Sequence, residues 1–182
     1  MIKILQKEER VLRKKSEEVK ILDIKKLKIK KVLREMSTAL KSQSDGVAIA
    51  APQIGHSLRI FVVSGKVLEP GFPGNRPSRP EATPPSQGEK RLKDITFINP
   101  KISKLSQKKE WMPEGCLSVR PLYGKTWRSK KATVTAYDEN GKKFIRGASG
   151  LLAQIFQHET DHLNGILFID HAKEIKAELP RK

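Results

Sequence analysis

Two histidines four residues apart, with a glutamate directly after the first, are the residues of this chain best suited to chemistry: His158, Glu159 and His162. In a helix, residues four apart lie on the same face about one turn apart, so both imidazoles can bind one metal ion. Glu159 would then lie at the rim of that face, beside the open coordination position of the metal. The pattern is short and also occurs by chance among ordinary polar residues of helices. A third ligand elsewhere in the chain is therefore needed.

The residues around this motif predict the helix that positions it. Ser149 or Gly150 offers a start, and Gly165 is a suitable stop. Leu151 and Ile155 share one stripe with the two histidines, so the ligands would extend the buried face of the helix.

Cys116 can supply the third ligand. A thiolate with two imidazoles leaves a fourth position for water, as catalytic metal sites do. A structural site would need a fourth protein ligand, but the chain has a single cysteine. His56 and His171 have no helpful spacing. An inert buried thiol remains the alternative, and the residue alone does not decide between them.

Composition bounds the class of protein. The 182 residues predict one domain, and the net charge is +17 with 5% aromatic residues. Basic residues are spread along the chain with few aromatics between them, which indicates a weakly attracting surface rather than a dedicated nucleic-acid module. The sequence shows neither a signal peptide nor an apolar run of membrane length, and a single cysteine suits a reducing compartment. We therefore expect a cytoplasmic protein with no membrane contact.

The remaining elements are predicted from hydrophobic periodicity. An amphipathic pattern from Asp23 to Ser42 predicts an N-terminal packing helix with Asp23 as its N-cap. Strands are predicted over 58–63 and 95–99, a strand pair over 101–112, a hairpin with its turn over 138–141, and a small helix in the tail from Ala172. Prolines and glycines concentrated at about 64–93 predict a surface insertion within the domain.

Three stretches together resemble the three motifs of the bacterial-type peptide deformylases: GVAIAAPQIG from Gly46, EGCLS from Glu114 and QHETDHLNG from Gln157. They occur in that order, and the resemblance covers most of the chain apart from the insertion. We expect an α+β fold in a single domain over residues 1–182, with antiparallel sheets wrapped around a central metal-binding helix and an N-terminal helix packed outside.

The resemblance implies a role for each matched residue. The three candidate ligands would hold one divalent metal ion, usually Fe2+ in the family, with Ni2+, Co2+ or Zn2+ able to substitute. Glu159 would be the general acid/base, and Gln53 with the backbone N–H of Leu117 would donate to the oxyanion. Asp161 would pair with Arg128 and steady the helix. Residues expected to line the substrate cleft are Gly46, Val47, Ala48, Glu114, Leu151, Gln154 and Ile155.

The sequence departs from the family pattern at the cleft. Ala48 stands where the first motif normally has its second glycine, so its methyl group could crowd the substrate or restrict the backbone. Arg120-Pro121 replaces the usual Pro-Gly after the second motif. Neither change affects a candidate metal ligand.

The implied function is removal of the N-terminal formyl group from formylmethionyl nascent polypeptides, with release of formate. The expected partners are N-formylmethionyl peptides and nascent chains, with transient contact to the ribosome, and the expected state is a monomer. A zincin-type metallopeptidase is one alternative, although His171 lacks the spacing of a zincin's third ligand. A basic ribosome- or RNA-associated protein with an inactive deformylase-like site is the other.

Overall fold

The computed structural model describes residues 2–69, 72 and 92–178, and in these the chain forms two α-helices and two antiparallel sheets. The helices are α1 (Leu27–Lys41) and α2 (Gly150–Leu163). The strands are β1 (Ala48–Ala50), β2 (Ile60–Val63), β3 (Ile95–Leu105), β4 (Lys109–Gly115), β5 (Leu122–Ser129), β6 (Lys131–Tyr137), β7 (Lys143–Ser149) and β8 (Lys173–Ala177). One sheet has the order β1-β2-β3-β6-β7 and the other β4-β5-β8. The predicted α+β class is confirmed.

The five-stranded sheet separates the two helices. Along β2, Phe61 and Val63 pack in the cluster that contains α2, while Ile60 and Val62 pack in the cluster that contains α1. Alternate residues of a strand point to opposite faces, and all four side chains are buried. Strands β4 and β5 lie against another side of α2. Helix α2 is therefore enclosed between the two sheets, as expected for the central helix.

Several predicted elements need correction. Helix α1 begins at Leu27, because residues Ile21–Asp23 form a separate 3-10 turn. Lys26 occupies the N-cap position, and Asp23 instead forms an ion pair with Lys26 at 2.6 Å. The strand pair predicted over 101–112 is wrong in its pairing, since β3 and β4 belong to different sheets. The tail from Ala172 contains strand β8 rather than a helix, and it pairs with β5.

The hairpin of β6 and β7 is confirmed, with paired residues from Lys131↔Ser149 to Tyr137↔Lys143.

The insertion predicted at about 64–93 lies largely outside the described residues. At its start, Gly65–Leu68 forms a 3-10 turn, and the Gly65 N–H donates to Asp94 Oδ1 at 3.1 Å. This hydrogen bond brings the two ends of the segment together. No helix within the described residues reaches the length and hydropathy of a membrane span.

Candidate metal centre

Cys116 lies opposite the two histidines of helix α2. Its Sγ is 3.1 Å from His162 Nε2, and the ligand atoms of Cys116, His158 and His162 all lie within 4.8 Å of one another. The two imidazole rings are nearly perpendicular, with centroids 4.8 Å apart. The structure thus brings together the three ligands predicted from the sequence.

The end of helix α2 is fixed directly after the second histidine. The N–H of Gly165 donates to the carbonyl of His162 at 3.1 Å, and the N–H of Ile166 donates to that of Asp161 at 3.0 Å. This pair of bonds is a Schellman motif, which needs a left-handed residue, and Gly165 has φ 76°. A Cβ there would also lie 2.7 Å from the carbonyl oxygen of Arg13. Gly165 is therefore the helix stop that the sequence predicted.

The loop that carries Cys116 follows strand β4. A Cβ on the preceding Gly115 would lie 2.5 Å from the ring of Tyr123, so close packing requires glycine at this position. The N–H of Ser118 donates to Cys116 Sγ at 3.4 Å. This bond holds the sulfur in place, and cysteine binds metals as the thiolate.

A buried carboxylate, Glu114, holds the second nitrogen of His158. His158 Nδ1 is 2.7 Å from Glu114 Oε1. A carboxylate accepts, so Nδ1 carries the proton and Nε2 keeps its lone pair for a metal ion. Burial alone would raise the pKa of Glu114, but hydrogen bonds and charges from His158 and Arg128 hold that pKa well below its ordinary value. Thr126 and Gln154 also donate to Glu114, at 2.6 and 3.1 Å.

Arg128 joins strand β5 to helix α2. Its guanidinium donates to Asp161 Oδ2 at 2.6 Å, as expected, and makes two further bonds to Glu114 at 2.7 and 3.1 Å. The Arg128 side chain is 7% exposed. Sequence reasoning expected Glu114 in the substrate cleft. It does line the pocket described below, but both of its oxygens are also engaged by protein donors.

Glu159 lies beside the ligands with an unused oxygen. The residue is buried, and among the described residues its Oε2 has no hydrogen-bond partner. Burial raises the pKa of Glu159 to about 7, while the charge of His158 acts in the opposite direction. A carboxyl group with this pKa can accept and return a proton near neutral pH.

Gln53 is held so that its amide nitrogen faces the cysteine loop. Gln53 Oε1 accepts the N–H of Ala50 at 2.8 Å, and Nε2 lies 3.0 Å from Ser118 Oγ and 3.5 Å from Cys116 Sγ. Sequence reasoning did not single out Ser118, which is fully buried. Its position two residues after Cys116 was the signal that the sequence offered. The contact with Gln53 was not visible in the sequence, because the two residues are neighbours only in the folded chain.

A pocket of about 320 Å³ opens beside these groups. Leu117 and Glu159 line it, as do all the predicted substrate-cleft residues: Gly46, Val47, Ala48, Glu114, Leu151, Gln154 and Ile155. Arg120, in the loop that departs from the family pattern at the cleft, also lines the pocket and forms an ion pair with Asp45 at 2.5 Å. Sequence reasoning did not place Asp45 or Tyr123 in the cleft, yet they line it as well.

Ala48 carries no backbone strain. It lies in β1 opposite Val63, and among the described residues other than glycine only Asn99 and Glu174 have positive φ. The expectation that its methyl group restricts the backbone is therefore wrong, because a strand accepts any L residue. Crowding of the substrate by the methyl group stays a prediction.

The family model for polypeptide deformylases matches residues 1–178. The chain belongs to the polypeptide deformylase family. Peptide deformylase 2 of Clostridium acetobutylicum is 38% identical over 167 residues, which cover 92% of each sequence. The crystal structure of a probable peptide deformylase from Synechococcus phage S-SSM7 has a TM-score of 0.75 and 36% identity, and the match covers 94% of this chain and 99% of that one. The Met-Ala-Ser-bound deformylase of Acinetobacter baumannii has a TM-score of 0.75 and 27% identity, with the same coverage of 94% and 99%.

As a member of the deformylase family, the chain is a metal-dependent hydrolase that acts on formylmethionyl peptides. The charges around the three candidate ligands are suited to a divalent metal ion. Burial alone would lower the pKa of His158, but hydrogen bonds to Cys116 and Glu114 raise that pKa well above its ordinary value. The negative groups on both sides of this ring favour positive charge between them, and a divalent cation supplies that charge.

Proposed function

We propose that the residues of this pocket hydrolyse the formyl amide of N-formylmethionyl peptides and release formate. Cys116, His158 and His162 hold one divalent metal ion, and Glu159 moves the proton. The observation that carries this proposal is the buried, unpartnered Glu159 oxygen beside three converging metal ligands. When bound, such a metal ion supplies Lewis acidity, which lowers the pKa of water and polarises a carbonyl oxygen.

Glu159 acts as general base and then as general acid. Its carboxylate accepts a proton as water adds to the formyl carbon. The carboxyl group then returns that proton to the peptide nitrogen as the C–N bond breaks. Formate leaves, and the peptide keeps a free amino terminus.

Gln53 and the backbone N–H of Leu117 donate hydrogen bonds to the oxyanion that forms on the formyl oxygen. The bond from Ala50 fixes the Gln53 amide before substrate arrives, so no reorganisation is needed during the reaction. Loss of one oxyanion donor in a serine protease reduces kcat by about 100- to 1000-fold, and we expect a loss of that order for Gln53→Ala.

The apolar part of the pocket fits a methionine side chain. Val47, Ala48, Leu151 and Ile155 provide aliphatic walls, and Gln154 is held in place by its bond to the carbonyl of Pro113 at 2.8 Å. The relative from Acinetobacter baumannii was solved with Met-Ala-Ser bound, which supports a peptide beginning with methionine as ligand of this pocket.

Formate release from formyl-Met-Ala-Ser by anaerobically purified protein, loaded with Fe2+ or Ni2+, tests the proposal. The Glu159→Gln variant keeps the size of the side chain and should lose about 100- to 10,000-fold in kcat with its metal content unchanged. Glu110→Gln, which changes an exposed carboxylate on β4, is the matched control and should keep full activity. Full activity in Glu159→Gln would refute the role of Glu159, and no activity in fully metallated parent protein would refute the reaction.

We also propose Fe2+ as the native metal, because the family resemblance implies iron while thiolate and imidazole ligands suit several metals. Metal analysis of protein purified without oxygen tests this, and a site filled with zinc would contradict it.

We further propose that the protein acts in the cytoplasm as a monomer that contacts ribosomes transiently. The net charge of +17 supports that contact, and absence of co-sedimentation with ribosomes at low salt would contradict it.

A further inference from the structure

Both tryptophans of the chain lie side by side on one face of the three-stranded sheet. Trp111 on β4 and Trp127 on β5 are register partners, with ring centroids 5.3 Å apart and planes tilted by 50°. They are 41% and 49% exposed, and neither lines the pocket. Large aromatic side chains are usually buried, so an exposed pair indicates a binding surface.

Lysines surround this pair. On β4 and β5, Lys109 and Lys125 lie two residues before Trp111 and Trp127, so they share the face of the sheet that carries the rings. On β8, Lys173 places its Nζ 5.0 Å from the centroid of the Trp111 ring. All three lysines are exposed, and Lys125 also forms an ion pair with Glu174 at 2.6 Å. We call these five residues the tryptophan face: Lys109, Trp111, Lys125, Trp127 and Lys173.

We propose that the tryptophan face binds single-stranded RNA. Bases stack on exposed aromatic rings of sheet surfaces, and neighbouring lysines pair with the phosphates. A duplex hides the faces of its bases, so the exposed indoles select unpaired nucleotides. Lys173 lies over the ring of Trp111, so a base stacks on the more exposed Trp127 and the neighbouring phosphate pairs with Lys173.

The charge of the face argues against a second copy of the chain as its occupant. Even with Glu174 beside Lys125, each face carries an excess of positive charge, and like charges across an interface are unfavourable. The whole chain carries +17, so self-association is opposed at long range as well, while an anionic strand is attracted. RNA binding at this face does not depend on the chemistry of the pocket, and both can be tested in the same protein.

Fluorescence anisotropy of a labelled oligouridine, titrated with the full chain at several salt concentrations, tests the proposal. Trp127→Thr keeps a strand-forming residue and should weaken binding about 5- to 150-fold. Lys173→Gln should reduce the slope of log K against log salt by about 0.7, the value for one phosphate of a single strand. The control Lys28→Gln removes an exposed lysine of α1 and should leave that slope unchanged. Formate release by each variant shows that it is folded.

Intrinsic fluorescence adds a second readout, because both tryptophans lie on the proposed surface. We expect saturable quenching by unlabelled oligouridine at the same concentrations that raise the anisotropy. Equal affinity for inorganic polyphosphate, or unchanged affinity in Trp127→Thr, would reduce the interaction to charge alone and overturn the proposal. Concentration-dependent dimerisation that is lost in Trp127→Thr, without a response to RNA, would overturn it in favour of an interface between copies.

Discussion

Arg128→Met removes the guanidinium that balances two carboxylates beside the metal centre. In the parent, Arg128 donates three hydrogen bonds of 2.6 to 3.1 Å to Glu114 and Asp161. Removing one partner of a buried ion pair costs about 3–5 kcal/mol, because the other charge stays buried without compensation. The Asp161 side chain is 23% exposed and can regain water, whereas that of Glu114 is 4% exposed. We therefore expect a loss of about 3–4 kcal/mol in the free energy of unfolding.

Urea unfolding of the metal-free protein measures this loss without the contribution of metal binding. A second measurement, competition for the metal with a chelating dye, should show an affinity about 10- to 100-fold weaker, because Glu114 then holds the ring of His158 less firmly. Arg59→Met is the matched control. Arg59 is equally buried, but its guanidinium donates to the carbonyl of Leu163 and the amide of Asn164 rather than to a carboxylate. It should lose stability while metal affinity stays close to that of the parent.

A double variant separates the ion pair from side-chain packing. Glu114→Gln combined with Arg128→Met removes both charges, so it should be less destabilised than the sum of the two single variants. If Arg128→Met unfolded at the same urea concentration as the parent, the reasoning about buried charge would be refuted. That reasoning would also be refuted if Arg59→Met lost as much metal affinity as Arg128→Met.

Three further predictions concern the ligands, the cleft and the pH dependence of stability. Cys116→Ser should lose its metal on dialysis, measured by metal analysis; retention of the metal would favour a zincin-type site. Ala48→Gly should lower KM for formyl-Met-Ala-Ser with kcat unchanged, because it removes a methyl group that lines the pocket, and steady-state kinetics would contradict crowding if KM rose. Burial would raise the pKa of Asp170, but hydrogen bonds from Arg13 and the Leu167 N–H lower that pKa below the ordinary 3.8. The ionised Asp170 therefore stabilises the folded protein above pH 3.8, and this stabilisation is lost as the pH falls through the folded-state pKa. Asp170→Asn should therefore cost about 1 kcal/mol at pH 7 and progressively less as the pH is lowered below 3.8, measured by urea unfolding at a series of pH values.

The sequence predicts local features of this protein well. Helix α2, its stop at Gly165 and the shared face of His158 and His162 all follow from spacing along one short segment. Helical periodicity needs no knowledge of the rest of the fold, and a left-handed stop has a strong residue preference. Cys116 is predicted in a different way, as the single cysteine of the chain and from the resemblance of EGCLS to a family motif.

Pairings between distant segments were harder to predict. Strand β8 is five residues long and exposed throughout, so it shows no alternation that would distinguish it from a short helix. Strands β3 and β4 are adjacent in sequence, yet each pairs with a different partner. The start of α1 was misplaced because Asp23 is a favourable N-cap, whereas the chain uses it in an ion pair with Lys26.

The charges around helix α2 explain why residues from distant parts of the chain are required together at the metal site. The carboxylates of Glu114 and Asp161 share one guanidinium, that of Arg128, so one negative charge is left that the arginine does not balance. Such an excess is unfavourable in a largely buried site. A divalent metal ion balances it, and the raised pKa of His158 shows the same demand for positive charge. Because thiolate, carboxylates and guanidinium come from β4, its following loop, β5 and α2, metal binding stabilises the contact between the three-stranded sheet and the helix as well as the site itself.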